Sequence, residues 1–212
     1  MKAAGSCKLG VLVSGSGTNL QSIIDSIESG HIAASIACVI SNKPGVFALA
    51  RAERHGIPVI VHENCLFSDR KQYDAALVKI LREYGVDLVV MAGFMRILSD
   101  VMVTAFPNAI MNIHPALLPS FPGLHAQQQA LDYGVRYSGC TVHFVDCGTD
   151  TGPIIIQAVV PVNEDDTEDT LSARIQKEEH RIFPEAIKLF TESRLHVAGR
   201  CVHTLSLPAT SR

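Results

Sequence analysis

The apolar run Leu9-Gly-Val-Leu-Val13 breaks on Ser14-Gly-Ser-Gly-Thr-Asn19 and gives way to Leu20, Ile23, Ile24 and Ile27 at helical spacing. Few folds accommodate that succession. A short apolar strand, a glycine-rich turn and an amphipathic helix make the first half of a βαβ unit, and such units stack into sheets covered by helices. The alternation continues. Gly30 stops the first helix, and Ser35 to Ser41 reads as a second strand. Phe47 to His55 reads as a weak helix closed by Gly56, and Pro58 to Val61 as a short third strand. Tyr73, Ala76, Leu77, Ile80, Leu81 and Tyr84 mark an amphipathic helix that ends at Gly85. Val86 to Ala92 and Ala109 to Ile113 are continuous apolar runs, as expected of strands buried on both faces of a parallel sheet.

The pattern then changes. Tyr137 to Val145 and Ile154 to Val160 are strand-like, and only a glycine-rich loop separates them. That loop is too short for a helical crossover, so the pair is expected to run antiparallel. A final helix is expected from about Thr170 to Thr191, with Leu171, Ile175, Ile182, Ala186, Leu189 and Phe190 inward. Five acids between Glu164 and Asp169 suit the positive end of that helix and carry no functional weight. The expectation is an α/β, Rossmann-like, open and mostly parallel sheet. Helices lie on both faces, and an antiparallel strand pair lies towards the C-terminus. The 212 residues form one domain, without repeats or low-complexity linkers, and the tail is loose from about Gly199.

Composition narrows the function. Eighteen basic against 21 acidic residues give a net charge of −3, which disfavours wrapping of DNA or RNA. No apolar run is long enough for a membrane helix or a secretory leader, so the chain is expected to be cytoplasmic. The six cysteines, Cys7, Cys38, Cys65, Cys140, Cys147 and Cys201, include no C-x-x-C pair. They read as small hydrophobes or idle thiols, and no metal site is expected.

Three places hold chemistry. The first is Ser14 to Asn19, between a strand and a helix N-terminus, where backbone N–H groups and the helix dipole favour an anion. Leu20 stands where a dinucleotide motif needs its third glycine, and no Gly-Lys-Ser/Thr follows, so one phosphate fits better than a dinucleotide. A plain strand-to-helix turn explains the same residues. The second is Asn112-Ile-His114-Pro115 at the end of a buried strand, where open α/β sheets bind ligands. Asn112 and His114 share a face, and an amide beside an imidazole can stabilise an oxyanion and move a proton. A packed, satisfied histidine reads equally well. The third is Asp150, in the turn Asp146-Cys-Gly-Thr-Asp-Thr-Gly152. A carboxylate there can orient His114, although Asp and Gly form turns without any function. His125 is a candidate partner behind His114, whereas His143, alternating with apolar residues, reads as structural. Met95 to Leu98 lines a pocket or packs in the core.

Taken together, Gly15-Ser-Gly-Thr-Asn-Leu20, Ala92-Gly-Phe-Met-Arg-Ile-Leu98, Asn112-Ile-His-Pro-Ala-Leu-Leu-Pro119, Pro122-Gly-Leu-His125, Asp150-Thr-Gly-Pro153 and Gln176-Lys-Glu-Glu-His180 resemble the phosphoribosylglycinamide formyltransferases of purine biosynthesis. The resemblance runs from Gly10 to about Leu195. It implies that 10-formyltetrahydrofolate is the co-substrate and glycinamide ribonucleotide the acceptor, with no metal. It implies that Gly17, Thr18 and Asn19 hold the phosphate, and that Gln176 and Glu179 hold the ribose and glycinamide side. The N-terminal half would then serve the ribonucleotide and the C-terminal half the folate. Arg70, Met95, Arg96, Ile97 and Leu98 would contact the folate. Asp146, Cys147, Gly148, Thr149 and Asp150 would wrap the pterin, and Asn112, His114 and Asp150 would do the chemistry. Ala116 stands where many relatives have Ser, a change expected to touch loop order more than chemistry.

Methionyl-tRNA formyltransferase and formyltetrahydrofolate deformylase share the Asn, His and Asp set but carry further domains, for which this chain is expected to have no room. A monomer or weak homodimer is expected, with no nucleic acid or membrane as partner. Three alternatives remain. A nicotinamide-linked oxidoreductase is opposed by Ser41-Asn42 where an acid should close the second strand. A 10-formyltetrahydrofolate hydrolase would need no phosphate loop. A non-catalytic folate- or nucleotide-binding module would need no Asn112, His114 and Asp150.

Overall fold

The computed structural model describes residues 7–206. Five strands, β1 (Cys7–Val13), β2 (Ala34–Ser41), β3 (Val59–Val61), β4 (Leu88–Met91) and β5 (Ile110–His114), lie parallel in the order β3-β2-β1-β4-β5. Beyond β5 the direction reverses. β6 (Tyr137–Phe144) pairs antiparallel with β5, and β7 (Ile154–Pro161) antiparallel with β6. Helices α1 (Thr18–Glu28), α2 (Phe47–Arg54), α3 (Arg70–Glu83), α4 (Asp100–Ala105), α5 (Ala126–Tyr133) and α6 (Glu168–Thr191) complete the order.

Alternation along the strands divides the core. Leu9, Val11 and Val13 of β1 meet Leu20, Ile23 and Ile24 of α1 and the inner face of α6. Leu12 faces the other way, with Val89 and Met91 of β4, against Tyr73, Leu77 and Leu81 of α3. Each fully buried Leu or Ile contributes roughly 1.5–3 kcal/mol over exposure, so both helical layers are firmly seated. Cys38 and Cys140 are buried among these residues, and burial pushes their thiols up to about 11 and about 12.

The long helix α6 opens on a capping box in which Thr167 and Thr170 exchange side-chain-to-backbone hydrogen bonds. Glu168 and Asp169 occupy its first turn, where the dipole favours them. Leu171, Ile175, Ile182, Ala186 and Leu189 are buried, and Phe190 packs half-buried beside them.

The loose tail expected from Gly199 is corrected by a hairpin. β8 (Leu195–Ala198) turns at Gly199, φ +60°, into β9 (Cys201–Thr204), and β9 joins the sheet next to β7 at Ile154–Cys201. Leu195, Val197 and Val202 pack against the core, but strands of four residues with alternate polar positions give little periodic signal. The end of that expected tail, 207–212, lies outside the described residues. Helices α4 and α5 are also absent from the sequence reading. Helix α4 is only six residues long, and α5, eight residues like α2, begins on three consecutive glutamines after Ala126 and shows little apolar period.

Candidate active site

In the parallel part of the sheet, β1 lies between β2 and β4, so the connections leave it in opposite directions. A crevice forms outside the carboxyl ends of the strands at such a point. The loops after β1, β4 and β5 converge there. A cavity of about 710 Å³ opens beside them, large enough for a drug-sized ligand.

Asn112 and His114 both project from β5 to the α3 side of the sheet, because Met111 and Ile113, which alternate with them, turn to the α6 side. Each faces a residue of β6: Asn112 opposes His143, and His114 opposes Thr141. His114 is buried. Its Nδ1 lies 3.4 Å from Asp150 Oδ2, and its Nε2 lies 2.8 Å from the Phe121 carbonyl. Both ring nitrogens therefore face oxygen acceptors, and both donate only when the ring carries two protons.

Asp150 reaches this position from the turn between β6 and β7. Its backbone is left-handed, φ +55°, a conformation Asp tolerates better than most residues. Asp146 braces the turn by accepting from Gly148 N–H at 3.0 Å and from the Thr151 hydroxyl at 2.6 Å. A Cβ at Gly152 would overlap the Phe144 carbonyl, so the turn closes only around a glycine. Asp150 Oδ2 also accepts from Gly123 N–H at 2.8 Å.

His143, read from the sequence as structural, belongs to the same cluster. Its Nδ1 lies 2.8 Å from the Phe144 carbonyl, which can only accept, so the proton sits on Nδ1. Nε2 is then free to accept from Asn112 Nδ2, 3.3 Å away, and stands 3.7 Å from Asp150 Oδ1. Burial holds the His143 ring below the ordinary histidine range and keeps it neutral. The alternation of β6 is a signal for a strand, and nothing in the sequence places His143 opposite Asn112.

The expected folate residues mostly share one cavity wall. Arg70, Met95, Arg96, Ile97, Leu98, Asp146, Gly148, Thr149 and Asp150 line it, and exposed Cys147 does not. The Arg96 guanidinium lies 4.8 Å over the Tyr73 ring, itself stacked on His62 at 4.4 Å. A cation over an aromatic face is held without a salt bridge. His125 is not a partner of His114. Its side chain is mostly exposed at the cavity rim, with Nδ1 4.0 Å from Glu168. The reversal of the chain at Phe121, φ +54°, brings a backbone carbonyl to His114 instead.

The glycine-rich turn caps α1. Gly17 has φ +73°, and a Cβ there would stand 2.6 Å from the Ala48 Cβ, so only glycine fits. The next two residues are tied to α6. Gln176 Nε2 donates to Thr18 Oγ1 at 3.0 Å, and Asn19 Nδ2 donates to Glu179 Oε2 at 2.9 Å. Burial pushes the Glu179 carboxyl above the usual range, and the Asn19 hydrogen bond pulls it partway back. Asn19 Oδ1 is buried with no hydrogen-bond partner. The turn also touches the cavity wall: Met95 N–H donates to Ser14 Oγ at 3.0 Å, and Ser14 donates to Asn42 Oδ1 at 2.6 Å.

Among the described residues, no group of three or more His, Cys, Asp or Glu is placed to hold a metal ion, and no helix is long and apolar enough to cross a membrane. Residues 7–187 match the family described as formyl transferase. The chain is 45% identical to the phosphoribosylglycinamide formyltransferase of Escherichia coli (strain K12), over 87% of each. It is 50% identical to the trifunctional purine biosynthetic protein adenosine-3 of Drosophila melanogaster, over 86% of this chain but only 14% of that protein. The crystal structure of glycinamide ribonucleotide transformylase 1 from Symbiobacterium toebii is similar with a TM-score of 0.94, 53% identity and 95% of each chain covered.

Proposed function

Because the chain belongs to the formyl transferase family, we propose that it moves the formyl group of 10-formyltetrahydrofolate onto the amine of 5-phosphoribosylglycinamide. The products are formylglycinamide ribonucleotide and tetrahydrofolate. The observation that carries this reading is the meeting of His114 with Asp150 at the wall of a cavity that also presents Asn112. The cavity suits the donor: apolar Met95, Ile97 and Leu98 face a flat ring system, and Arg70 and Arg96 add positive charge for an acidic end.

The acceptor amine attacks the formyl carbon, a C–N bond forms and the carbonyl oxygen becomes an oxyanion. Asn112 donates its free amide N–H to that oxygen, because His143 occupies the other. His114 Nε2, on giving up the Phe121 carbonyl, stabilises the same charge and passes a proton to the leaving folate nitrogen as its bond to carbon breaks. The amine's own proton returns to His114. Asp150 orients the imidazole throughout. Gly17, Thr18 and Asn19 take the phosphate at the N-terminus of α1, and Gln176 and Glu179 take the ribose and glycinamide side. The reading needs one chain and two small molecules, without nucleic acid or a membrane. A monomer or weak homodimer in the cytoplasm goes with it.

A steady-state assay tests the reading. Release of the deformylated folate is expected only when glycinamide ribonucleotide is present. Release without it would overturn the transferase in favour of a hydrolase, and no release in either case would overturn both.

A further inference from the structure

Three strands place His114, Thr141 and Gln157 side by side. His114 opposes Thr141 across β5 and β6, and Thr141 opposes Gln157 across β6 and β7, so all three share one face of the sheet. Thr141 is fully buried, and its hydroxyl uses its whole capacity. It donates to the Ala116 carbonyl at 2.7 Å, and accepts from Leu118 N–H at 3.1 Å and from Gln157 Nε2 at 2.9 Å. Gln157 Nε2 gives its second hydrogen to the Leu118 carbonyl at 2.9 Å. The chain just past His114 is thereby fastened to β6 and β7. Two backbone groups of the same loop act farther on: the Phe121 carbonyl faces His114 Nε2, and Gly123 N–H faces Asp150.

We propose that Gln157 is a positioning residue for the formyl transfer. Through Thr141 and the Leu118 carbonyl it fixes the loop between β5 and α5, and with it the two backbone groups that hold His114 and Asp150. Gln157 is outside the cavity lining, so it acts on the reaction only through that loop. The proposal rests on the formyl-transfer reading. It explains why a glutamine stands among the outward positions Val159 and Pro161 of β7.

The experiment compares the wild-type chain with Gln157→Leu, which keeps the bulk and removes both donors. The thermal midpoint is expected to hold, since the site is exposed. kcat is expected to fall about tenfold through misplacement of the reacting groups. KM for glycinamide ribonucleotide is expected to stay, because its expected contacts lie on α1 and α6. The kcat–pH profile shifts, and protease cuts the 119–125 segment faster. Thr141→Ser keeps the hydroxyl and is expected to retain activity. Thr141→Val loses it, and Gln157→Leu then costs less than it does alone. Wild-type kcat and pH profile in Gln157→Leu, or losses that multiply in the double variant, would overturn the proposal. A wild-type chain without ribonucleotide-dependent turnover would instead defeat the formyl-transfer reading. The protease rates would still decide whether Gln157 holds the loop.

Discussion

Asn112 and His143 face one another across β5 and β6 with Nδ2 and Nε2 3.3 Å apart, and the backbone bond of His143 Nδ1 decides which way the Asn112 amide points. His143→Phe keeps a ring in the space and removes the acceptor. kcat is expected to fall about 10- to 100-fold with both KM values little changed, as read from initial rates. Burial holds the His143 ring below the usual range, so the acceptor is present above the unfolded value and is lost as pH falls through the folded one. The wild-type profile loses activity on that acidic side, and the variant lacks the step. An unchanged profile would remove His143 from the mechanism.

His114→Ala and Asp150→Asn test the pair proposed to carry the chemistry. Losing an oxyanion donor costs about 3 kcal/mol, or on the order of 100- to 1,000-fold in kcat. Both variants are expected to melt as two-state proteins near the wild-type temperature, because their contacts lie at the end of β5 and not in either core layer. Near wild-type turnover by purified His114→Ala would end the proposed mechanism.

Glu179 is expected to oppose stability at neutral pH in the absence of ligand. Its folded pKa is raised by burial, so its contribution is complete below the unfolded value, about pH 4, and is lost as pH rises through the folded one. Glu179→Gln removes that loss and keeps an oxygen for Asn19. Melting temperature at pH 7 is expected to rise, while KM for the ribonucleotide worsens by about tenfold as a charged acceptor becomes neutral. A melting curve series across pH reads the first effect, and a variant no more stable than wild type at pH 7 would contradict it.

Gly17→Ala places a Cβ against Ala48 at a residue with φ +73°. Stability is expected to drop by about 1–2 kcal/mol, measured by denaturant midpoint, with KM for the ribonucleotide rising and KM for the folate unmoved. A rise in the folate KM alone would place the phosphate elsewhere.

Much of the fold was legible because its strands are buried on both faces and its long helices have strong apolar stripes. Leu9–Val13 and the stripe of α6 are of this kind. Short elements were not: α4, α5 and the β8–β9 hairpin are set by what they pack against and not by a period of their own. The site divides in the same manner. Asn112 and His114 share a face by two-residue spacing, which the sequence carries. His143 joins them through antiparallel register, and register depends on how β5 and β6 align. Phe121 acts through a carbonyl, which side-chain identity never encodes. His125 was misplaced for a related reason, since two left-handed residues, Phe121 and His125, turn its ring outward.

Helices α1 and α6 hold one another's polar groups through Thr18–Gln176 and Asn19–Glu179. A ligand at the proposed phosphate site would exchange these partners, with Asn19 Oδ1 left open to it, and its affinity would be the difference between the bonds it offers and those it displaces. A neutral sugar offers nothing stronger than what is already there, whereas a phosphate and an amine do. Selectivity at such a site would come from subtraction, and calorimetry of the phosphorylated ligand against its dephosphorylated counterpart would show it as a gap in enthalpy far wider than one added contact.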